Sequence, residues 1–286
     1  MSRVVIAGAG SLAQKLQTHL GSRHEVRLTT GVDLTARHEA EVALAGAEVV
    51  VMLAQARAPL AALKTAALND VDQLMADSVA RAAKLVGARH LVHFACGDDD
   101  RRVPLLEKSG LVVSTLRGGG PDPVTALAQL IDGGAVPAPA PWSSSTPTRD
   151  EPRWRTCSVQ RYVMPKGWNA TRLAEAYFAW LPGNAPFTKV SRVNGVFTLH
   201  LAGIRALVLR REPGRSDDDT AWFEIADGAF AERGKGRLEF RVLLDGSVLA
   251  GIIGYEPSLP FFLYRFTQSL IHERVMKRFG TWLETQ

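Results

Sequence analysis

The chain has 286 residues, 46% hydrophobic and 22% charged, which excludes the disordered, fibrous and disulfide-rich classes and leaves a globular protein. Two cysteines, Cys96 and Cys157, are too few for a disulfide framework and lack the spacing of a metal site, so no metal and a reducing, cytoplasmic home are expected. The net charge of +5 comes from the second half, with 15 basic and 15 acidic residues in 1–150 against 19 and 14 in 151–286; without a dense basic stripe interleaved with aromatics, nucleic acid is not an expected partner.

In chain order, the opening "MSRVVIAGAG" begins a strand almost at once, with no expected leader segment. "RVVIAGAG" is a continuous apolar run ending in Gly, as in a buried parallel strand. "SLAQKLQTHLG" predicts a helix stopped by Gly21. "HEVRLTT" predicts a second strand and "GVDL" a short third. Then follow a helix "ARHEAEVALAG", a buried strand "AEVVVMLAQ", and a long amphipathic helix "LNDVDQLMADSVARAAKLVGA". The half closes with a strand "RHLVHFACG", a short helix "RRVPLLEKSG" and a last strand "LVVSTLRGGG". Such alternation predicts a doubly wound parallel α/β sheet. The apolar runs are shorter than the about 20 residues that a membrane span needs.

The Pro- and Ser-rich residues 134–153 read as a linker, giving two expected domains, 1–150 and 151–286. In the second, "RTCSVQRYVMP" is strand-like and "NATRLAEAYFAWLPG" is a helix capped by Asn169 and ended by Pro182 and Gly183. Strand-like runs "FTKVSRVNG", "VFTLHLAGIRALVLRRE", "TAWFEIADGAFAE", "GRLEFRVLLDG" and "SVLAGIIGYE" follow, then a closing helix from about Phe261 to Glu284. One helix, an antiparallel sheet and a long final helix predict a smaller α+β helix-grip domain.

The first strand-to-helix turn carries the candidate cofactor site. Gly8, Gly10 and Ala13 fit G-x-G-x-x-G/A, with Ser11 and Leu12 at the helix start. The first Gly permits a sharp turn, the second a close backbone approach to a pyrophosphate, and a small third residue lets helix pack on strand. The helix N-terminus then offers free N–H groups to the anion. The alternative is a tight turn that has lost its ligand. An acidic residue that would hold a ribose hydroxyl at the end of the second strand is missing; Thr29 and Thr30 stand there. Without that carboxylate NADP is favoured over NAD. The orientation of Arg27 is open.

The stretches "VVIAGAGSLAQKL", "AEVVVMLAQ", "NDVDQLMADSVARAAKLVGARHLVHFAC" and "LLEKSGLVVSTLRGGG" make the first half resemble the extended and atypical short-chain dehydrogenase/reductase family, including NmrA-like members. The resemblance implies that Leu53, Ala54 and Gln55 line the adenosine-ribose side and that Ala95 and Cys96 lie near a nicotinamide. The family's chemistry needs a Tyr whose pKa is lowered by a Lys four residues on. Here "CGDDDRRVPLLEKSG" follows the fifth strand of the family pattern, without Tyr. Cys96 reads as a buried thiol, and Asp98–Asp100 as a solvated helix start rather than a metal site.

"YVMPKGWNATRLAEAYFAWLPG", "RLEFRVLLDGSVLAGIIGYEPSLP" and "FLYRFTQSLIHERVMKRF" resemble SRPBCC/START-like helix-grip domains, including those fused behind short-chain dehydrogenase domains. The resemblance implies an apolar cavity for a hydrophobic small molecule. At 100° per residue, Phe261, Tyr264, Ile271, Val275, Phe279, Trp282 and Leu283 share one helix face with Gln268 and His272. Tyr264, Gln268 and His272 are the candidate pocket residues and His272 the candidate acid–base group. A hydrogen bond from Gln268 or His272 to a neighbouring strand is the competing reading. Trp168, Tyr177, Phe178 and Trp180 read as helical core.

The resemblances together imply an NAD(P)-binding protein with a redox step on an apolar molecule. A non-catalytic sensor or scaffold, or a redox-neutral cyclase or dehydratase, stands beside that reading. No membrane span is expected, and a homodimer stays open.

Overall fold

The computed structural model describes residues 1–54, 68–95, 100–118, 122–135, 156–231, 234, 236–255 and 268–286; the side chains of Leu68, Thr156 and residues 268–273 lie outside that description. The chain divides into two compact units, Met1–Arg57 with Val71–Glu151, and Ala58–Asp70 with Pro152–Gln286.

In the first unit, β1 (Arg3–Ala7), β2 (Glu25–Leu28), β3 (Val49–Met52), β4 (His90–Ala95) and β5 (Val112–Arg117) form a parallel sheet in the order β2-β1-β3-β4-β5. The helices are α1 (Ser11–Leu20), α2 (Arg37–Leu44), α3 (Leu68–Leu85, of which the part from Val71 belongs to this unit), α4 (Arg102–Glu107) and α5 (Pro123–Ile131). One face of the sheet, with Val4, Ile6, Val49 and Val51, packs on Ala13, Leu16 and Leu20 of α1 and on Leu127, Leu130 and Ile131 of α5. Alternate strand residues point to the other face. Val5, Val50 and Met52 there are equally buried, so both faces are covered. This is the doubly wound α/β fold expected of the first half.

The expected short strand "GVDL" does not form; residues 31–36 make a turn. Asp33 causes it. Its carboxylate accepts from the Thr35 N–H at 3.1 Å and the Thr35 hydroxyl at 2.5 Å, and this local bonding competes with any ladder.

In the second unit, β6 (Thr156–Tyr162), β7 (Thr188–Val193), β8 (Val196–Leu201), β9 (Ile204–Arg211), β10 (Thr220–Asp227), β11 (Arg237–Val242) and β12 (Val248–Tyr255) form an antiparallel sheet, in the order β6-β12-β11-β10-β9-β8-β7. With α6 (Ala170–Asn184) and α7 (Gln268–Leu283) this is the helix-grip class. The Asn169 side chain accepts from the Arg172 N–H at 2.9 Å, the cap expected of it. One detail differs from the sequence reading. The run "VFTLHLAGIRALVLRRE" is two strands, broken at Ala202 and Gly203, where Ala202 has φ 50° and Gly203 φ 84°. Helix α6 ends at Asn184, next to the predicted end at Pro182 and Gly183.

An aromatic cluster fills this unit. Phe279 of α7 lies 5.1 Å from Tyr177, 5.2 Å from Trp180 and 5.8 Å from Tyr162 between ring centres. Tyr177, Phe178 and Trp180 are core, and Val275, Phe279 and Leu283 of the predicted helix face are buried with them.

Candidate functional site

The order of the parallel sheet reverses at β1: the chain passes from β1 to β2 on one side and then returns to β3 on the other. Ligands of doubly wound sheets bind at such a switch point, outside the carboxyl ends of the strands. Gly8 and Gly10 lie in the turn after β1, Ser11, Leu12 and Ala13 open α1, and Leu53 and Ala54 follow β3.

The two strand tips meet closely. The Ala7 carbonyl accepts from the N–H groups of both Leu53 and Ala54, each at 2.9 Å. Gly8 has φ 140°, and a Cβ there would stand 2.8 Å from the Ala54 nitrogen. Gly10 has φ 106° and ψ −178° as N-cap of α1. It contributes no side chain, no side-chain bond caps α1, and the first turn holds no acidic residue. The first helical N–H groups have no partner within the helix, and the dipole adds positive potential there. This crease suits a pyrophosphate: a donor-rich helix end approached over bare backbone.

The tip of β2 carries Thr29 and Thr30 and no acidic residue. Thr29 is buried, and its hydroxyl oxygen accepts from the Gly8 N–H at 3.2 Å. Thr30 is exposed. Arg27 donates to the Ala45 carbonyl at 2.8 Å, just after α2. The Asp33 carboxylate is engaged by Thr35, as above.

At the tip of β4 Ala95 is buried. Beside that strand stands a group of polar residues that the sequence reading missed. Arg102 is only 2% exposed. Its Nε donates to Asp100 Oδ1 at 2.9 Å, its Nη2 to Asp100 Oδ2 at 2.6 Å, and its Nη1 to the Ala54 carbonyl at 2.8 Å. The His93 Nε2 donates to Asp100 Oδ2 at 3.3 Å. Burial lowers the His93 pKa; its bond to Asp100 opposes this, and the Arg102 charge reinforces it. The expected solvated start at Asp98–Asp100 is therefore corrected at Asp100, whose side chain is 5% exposed and bonded to a buried guanidinium. Asp98 and Asp99 lie outside the described residues.

Gln55, Cys96 and Tyr264 also lie outside the described residues. Gln268 and His272 fall in the first turns of α7, where side chains are not described. Of the predicted cofactor residues, the fold brings Gly8, Thr29 and Ala54 into one place. In the second unit a groove of about 810 Å³ runs between the β6 end, the turn at Asp245–Ser247 and the Lys277–Glu284 side of α7. Its lining is mixed, with Arg161, Lys277, Asp245 and Glu284 beside Tyr162 and Met164, unlike the apolar cavity implied for this domain. Among the described residues no cluster of His, Cys, Asp or Glu could hold a metal ion, and no helix is long and apolar enough to cross a membrane.

No protein-family model matches the chain, and no curated protein does. Solved structures align with parts of the chain. A nucleoside-diphosphate-sugar epimerase from Staphylococcus aureus aligns at 13% identity over 40% of this chain and 50% of its own, with a TM-score of 0.32. The Bordetella bronchiseptica enzyme WbmG in complex with NAD aligns at 19% identity over 46% of this chain and 60% of its own, with a TM-score of 0.33. A START superfamily protein from Mycobacterium smegmatis aligns at 15% identity over 46% of this chain and 97% of its own, with a TM-score of 0.32. The chain thus spans 50% and 60% of the two enzymes' own lengths.

Proposed function

We propose that the first unit binds a nicotinamide dinucleotide in the crease at Gly8–Ala13, that the second unit holds an apolar small molecule, and that the joint activity is reduction of that molecule. The observation that carries the binding step is the bare crease: Gly8 against Ala54, and an α1 whose N-cap is Gly10 and whose first turn holds no acidic residue. NADP is the proposed form, because the β2 tip offers Thr29 and Thr30 instead of a carboxylate that would repel a 2′-phosphate. Gly8 and Gly10 would admit the pyrophosphate, the first N–H groups of α1 would hold it, and Leu53 and Ala54 would form the facing wall. When bound, the reduced nicotinamide supplies a hydride. His272 of α7 is the proposed proton donor to the substrate oxygen.

A second reading is favoured by one observation. His93, Asp100 and Arg102, at the strand where the resembled reductases place their proton relay, bond to one another and are closed to solvent. An arginine does not release its proton in this range. On that reading the dinucleotide is a bound signal, and the chain is a sensor or scaffold.

Calorimetry with NADPH and NADH tests the binding step. Saturable binding is expected, tighter for NADPH. Gly8→Ala should weaken it at least tenfold, about 1.4 kcal/mol, because the methyl group meets the Ala54 backbone at a φ that L-residues rarely adopt. No heat with either nucleotide overturns the proposal. Where binding occurs, nicotinamide oxidation with apolar carbonyl compounds separates the two readings: turnover that falls in His272→Gln supports the reductase, and none with any of them supports the sensor.

A further inference from the structure

We infer that Arg102 is a positioning residue for the dinucleotide crease: clamped by Asp100, it sets the Leu53–Ala54 wall against Gly8. The inference rests on the dinucleotide reading above.

The energetics of the position raise the question. Arg102 is 2% exposed, and Val103, Leu105 and Leu106 beside it in α4 are buried as well. Burying a guanidinium is costly, and an apolar side chain of similar volume commonly serves such a site as well or better. Packing alone therefore does not account for Arg102. A donor is what it adds.

The acceptor is the carbonyl of Ala54, and its place explains why a donor is needed. The β3–β4 ladder ends at the Met52–His93 pair. Ala54 lies two residues beyond. Its N–H is turned to Ala7, so on that side β1 holds it. Its carbonyl is past the last strand pairing, and a half-buried carbonyl left without a donor costs free energy. Arg102 Nη1 supplies the bond at 2.8 Å. The guanidinium is itself fixed by two parallel bonds to the Asp100 carboxylate, a planar fork that a point charge could not reproduce. Asp100 is tied in turn to His93 of β4 at 3.3 Å and to the backbone N–H of Arg102 at 3.0 Å. The wall is thus held from both sides, by Ala7 and by Arg102. A Cβ at Gly8 would stand 2.8 Å from the Ala54 nitrogen, so the position of that wall sets the space left over the glycine.

Arg102→Met alone removes the guanidinium charge beside the Asp100 carboxylate, so the informative variant is Asp100→Asn with Arg102→Met, which removes both charges. Nicotinamide dinucleotide affinity is measured by titration with NADPH, and the wall by amide hydrogen exchange at Leu53 and Ala54. The double variant should bind NADPH at least tenfold more weakly and exchange both amides at least tenfold faster, with β1 amides unchanged. Arg102→Lys, which keeps one donor and loses the fork, should fall between. Arg23→Met, which breaks an exposed ion pair with Asp132, should leave both readouts as in the wild type. Wild-type binding retained in full by the double variant overturns the inference and leaves the dinucleotide reading standing. An equal loss in Arg23→Met also overturns it, since general destabilisation would then explain the effect. A wild type that fails to bind either nucleotide removes the dinucleotide reading, and the inference with it.

Discussion

Strand β3 of the parallel sheet and strand β11 of the antiparallel sheet are both buried, by opposite means. Val49, Val50, Val51 and Met52 are apolar on both faces and fully buried. In β11, Leu238 and Phe240 face the aromatic cluster, while Arg237, Glu239 and Arg241 alternate to the other face. These three are 5%, 2% and 1% exposed. Arg237 Nε pairs with Glu239 Oε2 at 2.7 Å, and Arg241 with the second Glu239 oxygen. One carboxylate therefore serves two buried guanidiniums. A strand of apolar residues loses stability in proportion to the atoms removed, whereas a strand of shared charges fails at its shared member.

The largest expected effect follows from that difference. Glu239→Ala should destabilise the second unit by roughly 3–5 kcal/mol, because it leaves two cations in the interior without their carboxylate. Denaturant unfolding followed through the tryptophans of that unit measures it; a loss under 1 kcal/mol would mean that other partners already hold the arginines.

Val51→Ala in β3 should cost about 2 kcal/mol, the transfer of two methyl groups plus a partly collapsed cavity. It should move the first unit only. A larger effect than that of Glu239→Ala would erase the contrast between the two strands.

The smallest effect is one of pH, and it sharpens the comparison within the first unit. Burial lowers the pKa of His93, with Asp100 opposing and Arg102 reinforcing, and burial together with Arg89 lowers that of His90. The unfolded chain then takes up protons that the folded one refuses. Stability is complete above the ordinary imidazole value of 6.5 and declines as pH falls below it. Thermal unfolding of the first unit should therefore drop in midpoint between pH 7 and pH 5. His93→Gln should show a shallower drop, with His90 still titrating. A pH-independent midpoint would mean that neither ring is held neutral.

Much of the candidate site was legible in local sequence. The glycine spacing between an apolar run and a helical pattern located the crease, and the absence of an acidic residue at the end of "HEVRLTT" was visible as Thr29 and Thr30. The missing Tyr and Lys were legible too. Arg102 was not. It sits in "DDDRRV", where five consecutive charges carry the pattern of a solvated turn, and no local signal separates the buried Arg102 from the exposed Arg101.

Chain-local chemistry determined the doubly wound sheet, the helix-grip sheet with its final helix, and the turn after β1, because apolar periodicity, glycine and caps act over a few residues. The tertiary structure alone decided that Ala54 closes on Gly8, that Thr29 bonds the Gly8 amide, and that charged side chains at Asp100, Arg102, Glu239 and Arg241 are interior. Each of these depends on residues 2 to 48 positions apart meeting in space, from the Glu239–Arg241 pair to the Arg102–Ala54 bond. A charged residue in sequence is ambiguous until its partner and its solvent are known, and the fold supplies both.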